Sequence, residues 1–183
     1  MNIRTRRLRR DFEKIRDELA GSEFVSVKVV AGDPPERYRV TYRLSGLMRT
    51  QDGVIRPIHE HVADIYLPSG YPKQAPACTM LTPIWHPNIG DYICIGDYWS
   101  AGTPLVEIIC HIADMIQYRS YNLASPVHKE AAAWAQRHAK SFPIGSCEVM
   151  PPEDRPVTRQ VEIDIKPPAD TFDIILGPIR DRQ

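Results

Sequence analysis

The N-terminal stretch has the hydrophobic period of an α-helix. Four apolar residues recur there at helical spacing: Leu8, Phe12, Ile15 and Leu19. Arginine and lysine fill the opposite side, so that apolar and charged residues separate onto two faces. Gly21 follows directly and is suited to a C-terminal cap. The pattern therefore predicts an amphipathic helix over residues 3 to about 20.

The chain then changes to strand-like segments. Four segments are strand candidates: residues 24–30, 37–44, 61–68 and 77–81. In the second, alternation places Tyr38, Val40 and Tyr42 on one face, and Asp33-Pro34-Pro35 marks the turn before it. One helix followed by strands at hairpin spacing predicts an α+β fold, in which a four-stranded antiparallel meander packs against the helix.

A helical period returns in the later part of the chain. One apolar stripe comprises Leu105, Ile108, Ile109, Ile112 and Ile116. Thr103 is the predicted N-cap of this helix, and Pro104 suits its first position. A second helix is predicted to begin with Ser125 as N-cap and Pro126 as its first residue. Its expected core-facing residues are Val127, Ala131, Trp134 and Ala135.

The last part of the chain is rich in proline. Residues 143–183 contain seven of the 17 prolines, yet VEIDIK (161–166) alternates and FDIIL (172–176) is a short apolar run. We predict one domain over residues 1–142, followed by a Pro-rich extension over 143–183 with one or two short strands. A disordered tail is the alternative, because proline content alone favours disorder.

Composition excludes some partners and locations. The chain has 183 residues and a formal net charge of zero, so its overall charge favours neither nucleic acid nor a membrane surface as a partner. No apolar run is long enough to span a bilayer, and the basic N-terminus leads into acidic residues rather than the apolar segment of a signal peptide. A cytoplasmic protein is therefore expected.

The cysteine pattern indicates neither a disulfide framework nor a metal site. The four cysteines lie far apart: Cys78, Cys94, Cys110 and Cys147. None forms Cys-x-x-Cys, and no pair of histidines has zinc-ligand spacing beside a pair of cysteines. A disulfide framework is uncommon in a chain of this size without a signal peptide. We expect no metal and no cofactor, and each cysteine must be judged by its surroundings.

Cys94 is the candidate nucleophile, because Gly90, Asp91, Gly96 and Asp97 indicate an irregular loop near solvent around it. A nucleophilic cysteine must be accessible and partly ionised, whereas a buried structural cysteine is the commoner case. The residues alone leave both possibilities open. An unassisted thiol suits an already activated acyl group better than a peptide bond.

His86 and Asn88 lie shortly before Cys94. His86 could serve as a base, but Pro87 restricts the backbone beside it, and a histidine held in this way more often braces a loop. The Asn88 amide could donate to a developing oxyanion or hold the loop by bonding to backbone groups. These two roles of Asn88 do not exclude each other.

Together, these residues resemble the signature of the ubiquitin-conjugating enzyme family. The stretch HPNIGDYICIGDYWSAG (86–102) matches its His-Pro-Asn, Ile-Cys-Leu and Trp-Ser-Pro elements. The preceding SGYPKQAPACTMLTPIW (69–85) and the later YNLASPVHKEAAAW (121–134) fit the motifs on either side. The resemblance covers roughly residues 3 to 142 and implies the α+β fold of that family.

The resemblance implies a mechanism and partners. Cys94 is similar to the family's acceptor thiol, which takes a ubiquitin-like protein from an activating enzyme as a thioester and passes it to an amine of a protein target. Asn88 is similar to the oxyanion-stabilising or loop-holding amide. His86, Pro87 and Trp99 are similar to the structural part of the motif. A thioester is already activated, so the chemistry requires no strong base beside Cys94.

The basic first helix resembles the surface that the family presents to its activating enzyme. The predicted docking residues are Arg4, Arg6, Arg7, Arg9 and Arg10. A merely solvated basic face is the alternative, because runs of charge commonly have no other role.

Several positions depart from the family pattern. The loop between Asn88 and Cys94 is shorter, and Ser125 stands where many members carry an acid that orients or desolvates the incoming lysine. Ser125 is therefore a candidate catalytic residue, and the group that activates the lysine is an open question. Lys73 replaces a common aromatic residue on the ligase-facing surface. Such shortened members resemble the conjugating enzymes of bacterial ubiquitin-like operons, some of which act in defence against phages.

Two other functions are open at this point. One is a non-catalytic binding module of the same fold, although such members typically lack the cysteine that this chain has at position 94. The other is a Cys-His hydrolase, in which the histidine usually lies far from the cysteine in the chain. No oxyanion signature of such a hydrolase precedes Cys94, so the conjugating enzyme is the leading hypothesis.

Overall fold

The computed structural model describes residues 2 to 150, and its first element is the predicted helix. Helix α1 (Ile3–Glu18) is capped by the side chain of Asn2, which accepts a backbone hydrogen bond from the first turn at 2.7 Å. This bond satisfies one of the donors that a helix start leaves unpaired. The helix ends earlier than predicted, with Leu19 as its C-cap. Gly21 adopts a φ of 77° in the turn that follows.

Six strands follow α1 in the described part of the chain, and four of them form the predicted sheet. The strands are β1 (Val25–Ala31), β2 (Arg37–Tyr42), β3 (Gly46–Arg49), β4 (Ile55–Ile58), β5 (His61–Tyr66) and β6 (Ala77–Met80). Strands β1, β2, β5 and β6 lie side by side in that order, and each neighbouring pair is antiparallel. Tyr38, Val40 and Tyr42 of β2 are fully buried. The predicted α+β fold, with its four-stranded antiparallel sheet, is confirmed.

The hairpin of β3 and β4 was not predicted from the sequence. It is inserted between β2 and β5, and the two strands pair with each other rather than with the main sheet. Its turn contains Asp52 and Gly53, and Gly53 has a positive φ of 84°. Asp-Gly between apolar residues is a hairpin signal. Strands of four residues are too short for a clear alternation, which explains the omission.

Strand β1 has less apolar burial than its valine-rich sequence suggests. Among the strands of residues 2 to 150, it lies at the edge of the sheet and pairs with β2 alone, and its register shifts between Val29 and Ala31. Val29 and Val30 are both exposed as a result. The shift breaks the two-residue period, because residues on either side of a bulge no longer alternate regularly between the faces.

Helix α2 (Leu105–Ile116) forms where the apolar stripe predicts it, but its cap was predicted wrongly. Pro104, not Thr103, holds the N-cap position, and it makes no side-chain hydrogen bond. The carboxylate of Asp11 on α1 instead accepts the first backbone N–H of the helix at 3.2 Å. The Thr103 hydroxyl accepts the backbone N–H of Ser100. A residue far away in sequence therefore supplies the cap.

The carboxylate of Asp11 connects three parts of the fold. It is 1% exposed and accepts hydrogen bonds from the Arg7 guanidinium at 2.7 Å and from the Tyr71 hydroxyl. A buried charge is costly unless it is paired and hydrogen-bonded. These partners tie α1 to the segment after β5 and to the start of α2.

Helix α3 (Lys129–Arg137) begins later than predicted. Ser125 is not its N-cap; the ring of His128 takes this place and accepts a backbone N–H of the first turn at 3.3 Å. The N–H groups of Val127 and His128 donate to the carbonyl of Pro87 at 2.9 and 2.8 Å. The residues after Ser125 therefore bind to the His-Pro-Asn segment before the helix starts.

Apolar residues form two clusters in this fold. The larger one lies between the sheet, α1 and α2, and the Tyr42 hydroxyl donates across it to the carbonyl of Ile109 at 3.2 Å. The smaller one packs α3 and the β3–β4 hairpin together; it comprises Leu47, Trp85, Tyr118, Ala131 and Ala135. Trp134, predicted to face the core, is partly buried against this second cluster. No helix within residues 2 to 150 has the length and apolar character to cross a membrane.

Residues beyond α3 return to the body of the protein. A short 3-10 helix (Ala139–Ser141) comes first. The side chain of Gln117 then accepts the backbone N–H of Cys147 at 2.8 Å and donates to its carbonyl at 3.0 Å, and Met150 is buried in the larger cluster. The strands predicted at 161–166 and 172–176 lie outside the described residues. The division into 1–142 and 143–183 stays a prediction.

Candidate functional site

The His-Pro-Asn segment and Cys94 belong to one irregular loop beside β6. Two isolated β-bridges fold this loop on itself, one between His86 and Ile89 and one between Ile89 and Ile93. The backbone N–H of Ile93 donates to the carbonyl of Cys78 in β6 at 2.8 Å. The loop is thus attached to the edge of the sheet directly before Cys94.

Cys94 lies between two anchored residues. Ile93 and Ile95 are 2% and 5% exposed, whereas Cys94 itself is partly exposed. Its backbone N–H donates to the carbonyl of Asn88 at 2.9 Å. Burial of both neighbours holds the backbone in place, and it leaves the thiol between them accessible, as a nucleophile requires.

The thiol of Cys94 opens into a cleft. This cleft has a volume of about 250 Å³ and lies between the loop, α2 and the segment 120–125. Cys94 shares its walls with Asn88, Asp97, Tyr98, His111, Asn122 and Ser125. Cys94, Asn88 and Ser125 were singled out from the sequence, and the fold brings the three together.

The other cysteines have different surroundings. Cys78 and Cys110 are buried, and Cys147 is partly exposed but does not line the cleft. Burial raises the pKa of Cys78 to about 12, and the charge of Asp64 adds to this effect. A thiol with such a pKa is protonated at neutral pH and makes a poor nucleophile. Among the four cysteines, Cys94 is therefore the one that is both partly exposed and in the wall of the cleft.

The side chain of Asn88 binds backbone groups of the opposite wall. It is 4% exposed, and its Oδ1 accepts the backbone N–H of Asn122 at 2.7 Å. Its Nδ2 donates to the carbonyls of Asn122 and Ser125 at 2.8 and 3.3 Å. Both amide hydrogens are thus occupied, so donation to an oxyanion would require one of these bonds to break. The arrangement favours the loop-holding role over the oxyanion role.

Asn122 continues this polar network and was not singled out from the sequence. Its Oδ1 accepts the backbone N–H groups of Ala124 and Ser125 at 2.8 and 3.3 Å. Its Nδ2 donates to the carboxylate of Asp97 at 2.9 Å. Asparagine in a turn is a weak signal by itself, and nothing in the spacing shows that Asn122 reaches the loop of Cys94.

Ser125 contributes to the cleft mainly through its backbone. Its carbonyl accepts from Asn88, and its N–H donates to Asn122. The residue is exposed and lines the cleft with Cys94. Its hydroxyl has no charge, so it cannot attract an ammonium group as a carboxylate would.

His86 is buried in a way that suits bracing and does not suit proton transfer at Cys94. It is fully buried, and its Nδ1 accepts the backbone N–H of Asn88 at 3.1 Å. Its ring packs edge-on against Tyr118, with the ring centroids 4.8 Å apart. Burial lowers the pKa of His86 to about 3, an effect that the backbone of Ser120 offsets only in part. The imidazole is therefore neutral at physiological pH.

Pro87 and Trp99 hold the two ends of the loop. Pro87 is buried, and its carbonyl receives the two backbone donors that precede α3. Trp99 packs against the larger apolar cluster, and its ring lies 5.7 Å from that of Tyr71. Its backbone N–H donates to the carbonyl of Ile95 at 2.9 Å. Both residues lie where a structural role requires them.

His111 is a second residue that sequence analysis missed. It lies on α2, lines the cleft and stacks on Tyr98 with ring centroids 4.0 Å apart. Burial lowers its pKa to about 4, so the ring is neutral at physiological pH. A histidine inside a helical apolar stripe gives no sign, in the sequence, of the cleft that it faces.

The arginines of α1 divide into two groups, and the first group binds within the fold. Arg4 pairs with Glu36 at 2.8 Å and donates to the carbonyl of Leu67 at 3.0 Å. Arg7 binds Asp11, donates to the carbonyl of Ala101 at 2.8 Å and is bound to Thr103 as well. These two side chains are occupied in holding α1 against the body.

The second group faces solvent. Arg6, Arg9 and Arg10 are exposed. Their side chains make no ion pair or hydrogen bond with another residue in the described part of the chain. Of the five arginines predicted to dock an activating enzyme, these three are the ones whose charged groups face solvent, and the docking role itself stays a prediction.

Most of the chain matches a known protein family. Residues 8–144 match the family model described as ubiquitin-conjugating enzyme, and this range contains the sheet, the loop of Cys94 and all three α-helices except the first turns of α1. A search of curated proteins finds no match. Since the family model spans well over half of the chain, the protein belongs to the ubiquitin-conjugating enzyme family.

Proposed function

We propose that Cys94 accepts a ubiquitin-like protein from an activating enzyme as a thioester and transfers it to an amine of a protein target. The observation that carries this proposal is the position of Cys94: a partly exposed thiol between buried neighbours, facing a cleft within the family's domain. Exchange between a thiol and a thioester needs an accessible thiol and little else. His86 need not act as a base, and its burial agrees with this.

The network of asparagines supports the same proposal. Asn88 fixes the segment that carries Asn122 and Ser125 across from Cys94. Transfer of an acyl group depends on a precise approach of the attacking atom, and a small displacement of the walls is costly. In this proposal Asn88 is a positioning residue that keeps the cleft in shape, and Ser125 is a backbone anchor for it.

A charging experiment tests the proposed function. The full-length chain is incubated with a ubiquitin-like protein, its activating enzyme and ATP, and is examined on gels with and without reductant. Cys94→Ser should give an adduct that resists reductant, because an ester replaces the thioester, and Cys94→Ala should give none. Cys147→Ala is the matched control, since Cys147 is also partly exposed, and it should charge normally. Charging that survives Cys94→Ala would refute the proposal.

A non-catalytic binding module is the alternative. Such a module has no need of an accessible thiol at this position, and no observation in the fold favours it over the enzyme. It predicts that partners bind with wild-type affinity to Cys94→Ala and that no adduct forms with the wild-type chain.

The activating enzyme is the proposed partner of Arg6, Arg9 and Arg10. These exposed arginines lie on the helix whose apolar stripe packs on the body, so they present positive charge outward. An acidic surface on the partner would be attracted to them, mainly through a faster encounter. The solvated basic face is the alternative, and it predicts no effect of charge reversal on charging.

The biological setting belongs to the proposal as well. The shortened loop before Cys94 and the serine at position 125 resemble the conjugating enzymes of bacterial ubiquitin-like operons, including those that act against phages. We infer a cytoplasmic enzyme of this kind. Modification of a protein target that depends on neighbouring operon genes would support this setting.

A further inference from the structure

We propose that Asp97 receives the attacking amine and takes a proton from it during transfer, an inference that rests on the proposed thioester at Cys94. The position at which many relatives carry an acid is occupied here by Ser125, which has no charge. Asp97, three residues after Cys94 in the sequence, lines the same cleft and carries a carboxylate.

A closed ring of contacts fixes Asp97 relative to Cys94. The backbone N–H of Cys94 donates to the carbonyl of Asn88 at 2.9 Å. The side chain of Asn88 accepts the backbone N–H of Asn122 at 2.7 Å, and the side chain of Asn122 donates to Asp97 at 2.9 Å. The backbone of residues 94 to 97 joins Asp97 to Cys94 and closes the ring. The carboxylate is therefore held in place rather than free to turn away.

One carboxylate oxygen of Asp97 is available to a substrate. The hydrogen bond from Asn122 goes to Oδ2. No hydrogen bond from residues 2 to 150 reaches Oδ1, and the residue is exposed. Oδ1 can thus accept an N–H of an incoming amine, while Oδ2 keeps the side chain oriented.

Chemistry explains why the cleft needs an anion. A lysine amine has an ordinary pKa of about 10.4, so it arrives as an ammonium ion at neutral pH and must lose protons before and during attack. A fixed negative charge attracts the ammonium ion and accepts a proton as the new bond forms. The thiol of Cys94, the amides of Asn88 and Asn122, and the hydroxyl of Ser125 do not supply this charge.

His111 is the other group in the cleft that could take a proton, and it fits this role less well. Its ring is stacked flat on Tyr98, and its low pKa keeps it neutral. A neutral ring does not attract a cation by charge. His111 is therefore assigned to the wall of the cleft, and Asp97 to the amine.

The transfer step balances with these groups alone. The lysine ammonium gives its first proton to solvent, and the nitrogen lone pair then attacks the thioester carbon. A C–N bond forms as the carbonyl becomes an oxyanion, and Asp97 accepts the second nitrogen proton. The C–S bond breaks, Cys94 leaves as a thiolate, and one of the two protons returns to it. The products are an amide and the free thiol, and one proton is released to solvent.

The test isolates the amine step from the charging step. The full-length chain is loaded by thiol exchange with a synthetic peptide thioester that ends in Gly-Gly, and peptide mapping verifies loading at Cys94. Excess reagent is removed, and loss of the acyl group is followed after addition of either free L-lysine or hydroxylamine. Hydroxylamine is uncharged at neutral pH, so it needs no anion to attract it.

Asp97→Asn is the main variant, because asparagine keeps an oxygen that can accept the bond from Asn122 and removes only the charge. Asp91→Asn is the matched control. Asp91 is also exposed and lies as many residues before Cys94 as Asp97 lies after it, but it does not line the cleft. We expect Asp97→Asn to slow the lysine reaction by about 10²-fold or more, the lower end of the range that is typical of acid–base catalysis. The hydroxylamine reaction should slow by a clearly smaller factor, because hydroxylamine arrives uncharged and only its later proton loss can depend on Asp97. Asp91→Asn should leave both reactions unchanged.

Three results would overturn the assignment of Asp97 and leave the proposed function intact. They are a wild-type lysine rate for Asp97→Asn, an equal loss with lysine and hydroxylamine, and an equal loss for Asp91→Asn. A wild-type chain that does not load at Cys94 would overturn the proposed function itself, and the inference with it. Loss of the lysine reaction in His111→Gln together with normal Asp97→Asn would assign the proton to His111 instead.

Discussion

The four-stranded sheet is held by apolar side chains, whereas the loop that carries Cys94 combines apolar anchors with a network of polar side chains. In the sheet, Tyr38, Val40 and Ile65 are fully buried and pack against two helices. Around Cys94, polar side chains bind backbone groups in addition to this packing, and Asn88 alone makes three such bonds across the cleft. Apolar packing is non-directional, but hydrogen bonds fix distance and angle. Apolar packing therefore suits a scaffold, and hydrogen bonds suit a site in which the reacting atoms must be held at a defined distance.

This comparison predicts that stability and transfer can be separated by mutation. Ile65→Ala in β5 should lower the free energy of unfolding by ~2–5 kcal/mol, because it leaves a cavity in the core. The rate of acyl transfer per folded molecule should be unchanged. Chemical denaturation and a transfer assay on the same samples would measure both. Val30→Ala on the exposed edge is the control, and it should shift stability by less than ~0.5 kcal/mol.

Asn88→Ala should have the opposite effect to Ile65→Ala: a smaller loss of stability and a larger loss of reaction rate. Loss of its buried bonds should cost ~1–3 kcal/mol of stability, less than the core variant, yet it should slow the reactions of Cys94. Because Asn88 works through the shape of the cleft, charging and discharge should fall by similar factors.

The size and step of that loss distinguish the two roles of Asn88. Single-turnover assays of charging and of discharge to lysine would measure it. A loss of about 10²–10³ confined to discharge would instead identify Asn88 as an oxyanion donor. A rate loss in Asn88→Ala no larger than in Ile65→Ala would erase the distinction between scaffold and site.

The sheet and the loop of Cys94 each contain one buried histidine, and both histidines should make the stability of the protein sensitive to acid. Burial lowers the pKa of His61 in β5 to about 4 and that of His86 in the loop to about 3, from an ordinary value of 6.5. The unfolded chain therefore binds protons that the folded chain does not, so stability is complete above about pH 6.5 and falls as pH drops toward these values.

The expected slope is about 1.4 kcal/mol per pH unit for each histidine in the lower part of this range. Urea unfolding between about pH 7 and pH 4 would measure it. His61→Gln and His86→Gln should each flatten the slope, and His138→Gln, at an exposed position after α3, should not. A slope that neither buried histidine affects would show that other groups control acid sensitivity.

The smallest expected effect concerns the exposed arginines of α1. Reversal of Arg6, Arg9 or Arg10 to glutamate should reduce the charging rate about two- to tenfold at low salt, and less at high salt where charges are screened. Arg16→Glu is the matched control, since Arg16 is exposed near the end of the same helix. Charging rates equal to wild type at every salt concentration would leave these arginines as a solvated face.

Elements whose structure is determined by apolar periodicity could be predicted from the sequence. The sheet, α1 and α2 follow patterns that local rules describe, and Tyr42 is buried as its alternation predicts. The starts of α2 and α3 could not be predicted, because polar groups far away in sequence determine them. Asp11 caps α2 from another helix, and Pro87 delays the start of α3 by binding the residues before it. No local pattern contains such partners.

The site shows the same limit. The position of Cys94 could be predicted, because its motif is contiguous in the sequence. Asp97, His111 and Asn122 could not be assigned to the cleft, because they come together only when the loop, α2 and the following segment fold against one another. The alternation of β1 was misleading for a related reason, since an edge position and a bulge expose its valines.

Mass spectrometry can identify the cysteine that carries the acyl group. The full-length chain, charged with a ubiquitin-like protein by its activating enzyme, is digested without reductant, and mass spectrometry locates the modified cysteine. The account predicts that the C-terminal remnant of the ubiquitin-like protein lies on the peptide that contains Cys94, and that hydroxylamine removes it. A remnant on Cys147 or on another cysteine, with Cys94 unmodified, would contradict it.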